Sequence, residues 1–237
     1  MLHDGSVTPM TAYVLPAPSQ ASVAVAGDSA RFAVRRIFCV GRNYAEHARE
    51  MGHDPERDPP FFFTKPADAV QDSGLRIPYP SMTEDLHYEA ELVVAIGTGG
   101  IDIAEDAALG HVWGYAAGND LTRRDLQAKA KELRRPWDMA KGFDRSAIVG
   151  PLRPARKGHV LSGAIRCTMD GEIRQDADLT DMIWSVPEIL AHLSRYVALM
   201  PGDLVFTGTP AGVGAIGRGQ VCRVEIAGLE PAAVTLD

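Results

Sequence analysis

The chain has 237 residues, 46% of them hydrophobic and 23% charged, with a net charge of −7. That is enough apolar material for a substantial core, most simply in one domain, and the acidic balance argues against nonspecific nucleic-acid binding. No stretch approaches the roughly 18 consecutive apolar residues of a membrane span, and the opening Met1-Leu-His-Asp-Gly-Ser6 lacks the basic-then-apolar layout of a signal peptide. Three unclustered cysteines, Cys39, Cys167 and Cys222, favour neither disulfides nor a Cys₄ zinc site, so a reducing, cytoplasmic setting is expected.

Residues 1–34, with Pro9, Pro16 and Pro18, read as a short arm or edge hairpin with a weak strand at 21–26, ahead of a domain at 35–237. Residues 35–40 form a compact apolar strand. Gly41-Arg42-Asn43 turns the chain, Asn43 stands near a helix N-cap, and 44–51 reads as a short helix stopped by Gly52. On that helix His47 and Glu50, three apart, share a face. They are either an exposed pair or a carboxylate orienting an imidazole for acid–base work. A polar loop at 53–60 leads into the strand Phe61-Phe-Phe-Thr64, which ends at Lys65-Pro66.

Residues 85–97 read as one strand in which Glu89 and Glu91 precede an apolar run, 92–96, that needs burial on both faces. Side chains two apart on a strand point the same way, so the two carboxylates can converge on a hard cation, Mg²⁺, Mn²⁺ or Ca²⁺. A half-exposed wet face is the alternative. His87 lies on the same face, as a ligand or as a hydrogen-bond partner of one. Residues 112–120 form a small-residue strand and 121–133 a helix, which puts Asp120 at their junction as an N-cap, a third metal ligand, or both. Three carboxylates would leave coordination positions open for water and substrate.

From Arg123 to Arg145 there are eight Lys or Arg against four acids. Most of these fit a solvated helix face, but some can hold an anionic substrate. Further on, Asp170-Gly171 marks a hairpin turn between strands at 165–168 and 173–175. Ser185 to Glu188 has capping-box spacing ahead of a helix, and 204–207 is a strand. Gly212-Val-Gly-Ala-Ile-Gly217 matches the dinucleotide fingerprint, but another strand follows it where a helix is required, so NAD binding is rejected. No phosphate-binding P-loop sequence occurs, so no nucleotide is expected. Strands outnumber helices without regular alternation, which indicates a β-rich α+β fold.

Six ordered segments, Val40-Gly-Arg-Asn-Tyr-Ala-Glu-His47, Phe63-Thr-Lys-Pro66, His87-Tyr-Glu-Ala-Glu91, Asp120-Leu-Thr-Arg-Arg-Asp-Leu-Gln127, Pro136-Trp-Asp-Met-Ala-Lys-Gly-Phe143 and Thr207-Gly-Thr-Pro-Ala-Gly-Val-Gly214, resemble the fumarylacetoacetate hydrolase family. The resemblance implies a mixed β-sandwich roll with a few short helices, usually homodimeric. It also implies metal-dependent hydrolysis of a carbon–carbon bond in a β-diketo acid. Glu89, Glu91 and Asp120 resemble the metal ligands and His47 and Glu50 the water-activating pair. Lys141 resembles a lysine contacting substrate oxygens, and Arg42, Gln127 and Thr209 further substrate contacts. Residues 49–57 and 123–144 look closest to members that cleave fumarylpyruvate in gentisate degradation, and for the second carboxylate of that substrate the basic residues of 123–145, with Arg42 and Lys65, are the expected source of charge. A broader acylpyruvase, an oxaloacetate decarboxylase and a non-catalytic metal-dependent binding module are the alternatives.

Overall fold

The computed structural model describes residues 13–46 and 58–237, and its strands far outweigh its helices. In chain order these are β1 (Ser22–Val25), β2 (Asp28–Ala33), β3 (Arg36–Gly41), β4 (Phe61–Lys65), β5 (Val70–Asp72), β6 (Leu75–Ile77), β7 (Leu86–Tyr88), β8 (Ala90–Ile96) and β9 (Val112–Asp120). After them come β10 (Thr122–Arg123), β11 (Ala147–Val149), β12 (Arg153–Pro154), β13 (Ala164–Met169), β14 (Glu172–Asp178), β15 (Asp203–Phe206), β16 (Gly214–Ala215), β17 (Val221–Ile226) and β18 (Ala232–Leu236). Among the described residues three α-helices, Arg124–Glu132, Asp138–Lys141 and Val186–Tyr196, are interspersed. No helix among the described residues is long and apolar enough to cross a membrane.

The main sheet runs β4-β3-β15-β8-β9-β11-β5, with β12 also paired to β9, and a second sheet runs β14-β13-β17-β18-β6. The main sheet is mixed, since β15–β3 and β11–β5 are parallel while the β15–β8 and β8–β9 pairs at its centre are antiparallel. One of its faces packs on the second sheet. Leu92, Val94 and Val205 meet Ile165, Cys167 and Val224 there, and the Val186–Tyr196 helix adds Ile189, Leu190 and Leu193. The opposite face, with Val93, Ala95, Cys39 and Phe206, is covered by the β1–β2 hairpin through Val23 and Phe32. With both faces sheltered, residues 92–96 read as a continuous apolar run, each fully buried aliphatic side chain contributing roughly 1.5–3 kcal/mol.

Local signals act as expected at two places. Asp170 and Gly171 both have positive φ, the pair of left-handed residues that a tight hairpin requires, and Ser185 and Glu188 close a reciprocal capping box. Two expectations need correction. The strand predicted at 85–97 is two strands, because the chain breaks at Glu89: β7 pairs with β10 and β16, and β8 joins the main sheet. The helix predicted from 121 starts at Arg124, because Thr122 and Arg123 first pair with β7.

Candidate metal centre and active site

The break at Glu89 builds the site. Its backbone N–H donates to the Asn119 side-chain oxygen (3.0 Å), and its carbonyl accepts from the Asp120 N–H (2.9 Å). The ends of β7, β8 and β9 are thereby tied together, and Glu89, Glu91 and Asp120 converge with ligand oxygens within 4.8 Å of one another. All three are buried. Among the described residues no other group of three or more His, Cys, Asp or Glu is so arranged.

Three buried carboxylates repel one another, and the surroundings divide the compensation unevenly. Glu89 is gripped on both sides, by Arg124 Nη2 (2.5 Å) and Lys141 Nζ (2.7 Å). Lys141 Nζ also reaches Asp120 Oδ2 (2.8 Å), so one ammonium bridges two carboxylates. Burial opposes the Lys141 charge, but Asp120 and Glu89 outweigh it and hold its pKa above the ordinary lysine value. Lys65 Nζ lies 2.7 Å from Asp120 Oδ1, off the hydrogen-bonding direction, which leaves that oxygen without a hydrogen bond. Glu91 has less. Its Oε2 accepts from the Gly208 N–H (2.7 Å), a donor aimed there by a left-handed backbone (φ 94°) that suits glycine. Burial first, then the charges of Asp120 and Glu89, push the Glu91 pKa well above the ordinary carboxylate value.

The donor set fits a hard divalent cation: oxygen ligands only, one buried oxygen lacking a hydrogen bond, and one carboxyl short of positive charge. Lys141 Nζ bonds Glu89 Oε2 and Asp120 Oδ2, so it shares two of the three candidate ligand carboxylates with such an ion. The cavity above these oxygens, about 40 Å³, has room for a few waters.

The structure brings several of the expected substrate contacts to this cavity. Arg42, Gln127, Lys141 and Thr209 all line it. His47 and Glu50 lie outside the described residues. Asp120 is not a helix cap, because the Arg124–Glu132 helix takes Arg123 as its N-cap residue, without a side-chain bond, and the Asp120 carboxylate faces lysines. Lys65, expected among the charges for a second substrate carboxylate, is fully buried beneath the site. It donates to the Leu121 carbonyl (3.2 Å) and to that of Lys141, so it supports the floor and is not among the residues that line the cavity. His87 is no part of the acidic cluster. It bonds Asp85 (2.9 Å) and meets Arg124 Nε (3.3 Å), which places it behind the arginine that holds Glu89.

Three contributors were not singled out from the sequence. Arg124 ties Glu89 to the Gln127 oxygen (2.6 Å), and its spacing of three from Gln127 on a helix is the signal that could have found it. Asn119 orients Glu89, and its amide meets Cys222 Sγ at 3.2 Å. Gln175, buried on β14, accepts from the Ala90 N–H (3.0 Å) between the two glutamates and donates to Thr209 Oγ1 (2.9 Å) and the Pro210 carbonyl (2.8 Å). The Thr209 oxygen accepts that bond and donates none among the described residues, so its proton can be directed into the cavity.

Residues 36–236 match the family model of the fumarylacetoacetate (FAA) hydrolase C-terminal domain. The chain is 41% identical to a fumarylpyruvate hydrolase of Ralstonia sp. over 74% of its length and 92% of the relative's. It is 39% identical to a mitochondrial oxaloacetate decarboxylase of Dictyostelium discoideum, over 83% of its length and 90% of the relative's. Its fold is similar to that of fumarylpyruvate hydrolase from Pseudomonas aeruginosa in complex with Mn²⁺ and pyruvate. The TM-score is 0.92, with 53% identity over 95% of this chain and 99% of that one.

Proposed function

The chain belongs to the fumarylacetoacetate hydrolase family, and from that premise we propose that it hydrolyses fumarylpyruvate to fumarate and pyruvate. The observation that carries this reading is the buried triad of Glu89, Glu91 and Asp120 at the base of a cavity lined by cationic and hydroxyl donors. Its likeness to the Mn²⁺- and pyruvate-bound relative supports it.

Glu89, Glu91 and Asp120 would hold Mg²⁺ or Mn²⁺, with Ca²⁺ as a further occupant, and the ion would supply Lewis-acid stabilisation of charge on the pyruvyl oxygens. Arg124 grips the Glu89 carboxylate and Asn119 holds its backbone N–H, so the triad is set before substrate arrives. Lys141, held between the Glu89 and Asp120 carboxylates at the cavity base, would present its ammonium to the carbonyl under attack. Thr209 donates its hydroxyl proton to a substrate oxygen, and Gln127 and Arg42 orient the chain of the substrate. His47, oriented by Glu50, takes the proton from the attacking water. Water adds to the carbonyl beside the fumaryl double bond, the adjacent carbon–carbon bond breaks, and the electron pair leaves with the pyruvyl half, which is then protonated.

The wider setting of this reading is a cytoplasmic homodimer in gentisate catabolism, with residues 35–237 as its catalytic unit. The similarity to an oxaloacetate decarboxylase supports a second reading, decarboxylation of oxaloacetate, because both reactions expel a pyruvate enolate. One assay decides. With Mg²⁺ or Mn²⁺, the near-ultraviolet absorbance of fumarylpyruvate should decay with stoichiometric fumarate and pyruvate, and excess chelator should abolish the decay. Faster CO₂ release from oxaloacetate than cleavage of fumarylpyruvate or acetylpyruvate would replace the first reading by the second.

A further inference from the structure

We infer that Lys131 and Arg42 form the subsite that reads the far carboxylate of a dicarboxylic acylpyruvate, a step that rests on the acylpyruvate reading above. Among the described residues four cations line the cavity: Arg42, Arg124, Lys131 and Lys141. Two of them are committed, Arg124 to Glu89 and Gln127 and Lys141 to Glu89 and Asp120. Arg42 and Lys131 make no ion pair and no hydrogen bond among the described residues, and each lies on an aromatic ring. The Arg42 guanidinium is 5.2 Å from the Phe61 centroid and the Lys131 ammonium 5.3 Å from that of Trp137. The two rings pack edge to face (5.6 Å, 80°), so two cations are mounted on one aromatic wall.

The local sequence builds this wall. A Cβ at Gly41 would come within 2.0 Å of the Phe61 ring, so only glycine lets that ring settle there. Arg42 follows in the left-handed region (φ 58°), which turns its side chain back over the same ring. Lys131 is on the Arg124–Glu132 helix with Arg124 and Gln127, and the spacing of three and then four puts all three on one face. Burial, and then the charges of Arg124 and Arg42, lower the Lys131 pKa, so the ammonium is held where an anion would relieve it. The metal end of the cavity is rich in carboxylates, which leaves this wall as the place for a substrate's second carboxylate.

The test is substrate discrimination. In Lys131→Met the kcat/KM ratio of fumarylpyruvate to acetylpyruvate should fall roughly 10- to 100-fold, the value of one charge-assisted hydrogen bond. Lys131→Arg should keep most of the wild-type ratio. A ratio unaltered in Lys131→Met would overturn the subsite. Were the wild-type protein to cleave neither compound, the hydrolase reading would fall, while the subsite would still be decided by calorimetric titration with fumarate in excess Mn²⁺. Binding about tenfold weaker in Lys131→Met supports it, and equal binding overturns it.

Discussion

At Glu91, burial and two neighbouring carboxylates favour the neutral acid, so a proton and a divalent ion compete for the same oxygens. The folded-state pKa is raised above the ordinary carboxylate value, and the sign follows from that. Below the unfolded value the group is neutral in both states. As pH rises through the raised value, the fold must hold one more buried anion, and the metal-free protein loses stability. Bound metal removes that cost. The rise in Tm produced by Mn²⁺ should therefore be larger near about pH 8 than near about pH 5.5, and thermal melts at the two values check it. Glu91→Gln keeps the volume but not the charge, and calorimetry should show metal affinity falling by more than the roughly 10- to 100-fold typical of outer partners, with an unaltered far-ultraviolet spectrum. Gln175 acts one step further out. Gln175→Leu strands the Ala90 N–H and frees the Thr209 hydroxyl to rotate, so it should destabilise by about 1–3 kcal/mol and lower kcat more than it weakens Mn²⁺ binding. Equal losses in metal affinity and kcat would assign Gln175 to the metal floor alone.

At the level of elements, the site depends on strands staying in register, and Asp203 holds one of the joints. Buried at the start of β15, it accepts from Arg36 (2.9 and 3.2 Å), Arg35 (3.1 Å) and the Met200 N–H (2.9 Å). These bonds pin β15 to β3, a parallel pair with no hairpin to align it. The two arginines are partly exposed and water can hydrate them, so Asp203→Ala should cost about 1–3 kcal/mol, less than breaking a fully buried pair. Denaturant unfolding measures this. The Arg124–Glu132 helix is anchored differently. Its first-turn Asp125 accepts from the Thr83 hydroxyl (2.7 Å) and the backbone N–H groups of Glu84 (3.1 Å) and Leu126 (2.8 Å), which fixes the face that carries Arg124, Gln127 and Lys131.

Across the whole molecule, a net charge of −7 surrounds a cavity walled by Arg42, Arg124, Lys131 and Lys141. Local cations steer an anionic substrate while the rest of the surface repels it, and salt screens both. Because the cavity charges are nearest the bound substrate, kcat/KM for a dianionic acylpyruvate should fall several-fold between about 10 and 500 mM salt, and stopped-flow at subsaturating substrate reads it. A flat salt profile would show that capture does not use these charges.

Much of the fold and the acidic part of the site was legible in the sequence because it rests on local rules. The apolar run at 92–96 had to be sheltered on both faces, Asp170-Gly171 had to turn a hairpin, and Ser185 to Glu188 had to cap a helix. Glu89, Glu91 and Asp120 stood out because carboxylates beside buried strands need cations. What the sequence did not disclose depends on partners distant along the chain. Strand alternation puts Ile173 and Gln175 on one face, yet a bulge opposite Cys167 and Thr168 leaves Arg174 unpaired. Ile173 is therefore 57% exposed, and Gln175 turns inward to reach Ala90 and Thr209. Lys65, Arg124 and Lys131 are alike as basic residues in sequence. Only packing decided that the first supports the floor, the second grips Glu89, and the third stays on Trp137 facing the cavity, because a charge takes its role from whichever opposite charge, carbonyl or ring the fold brings within reach.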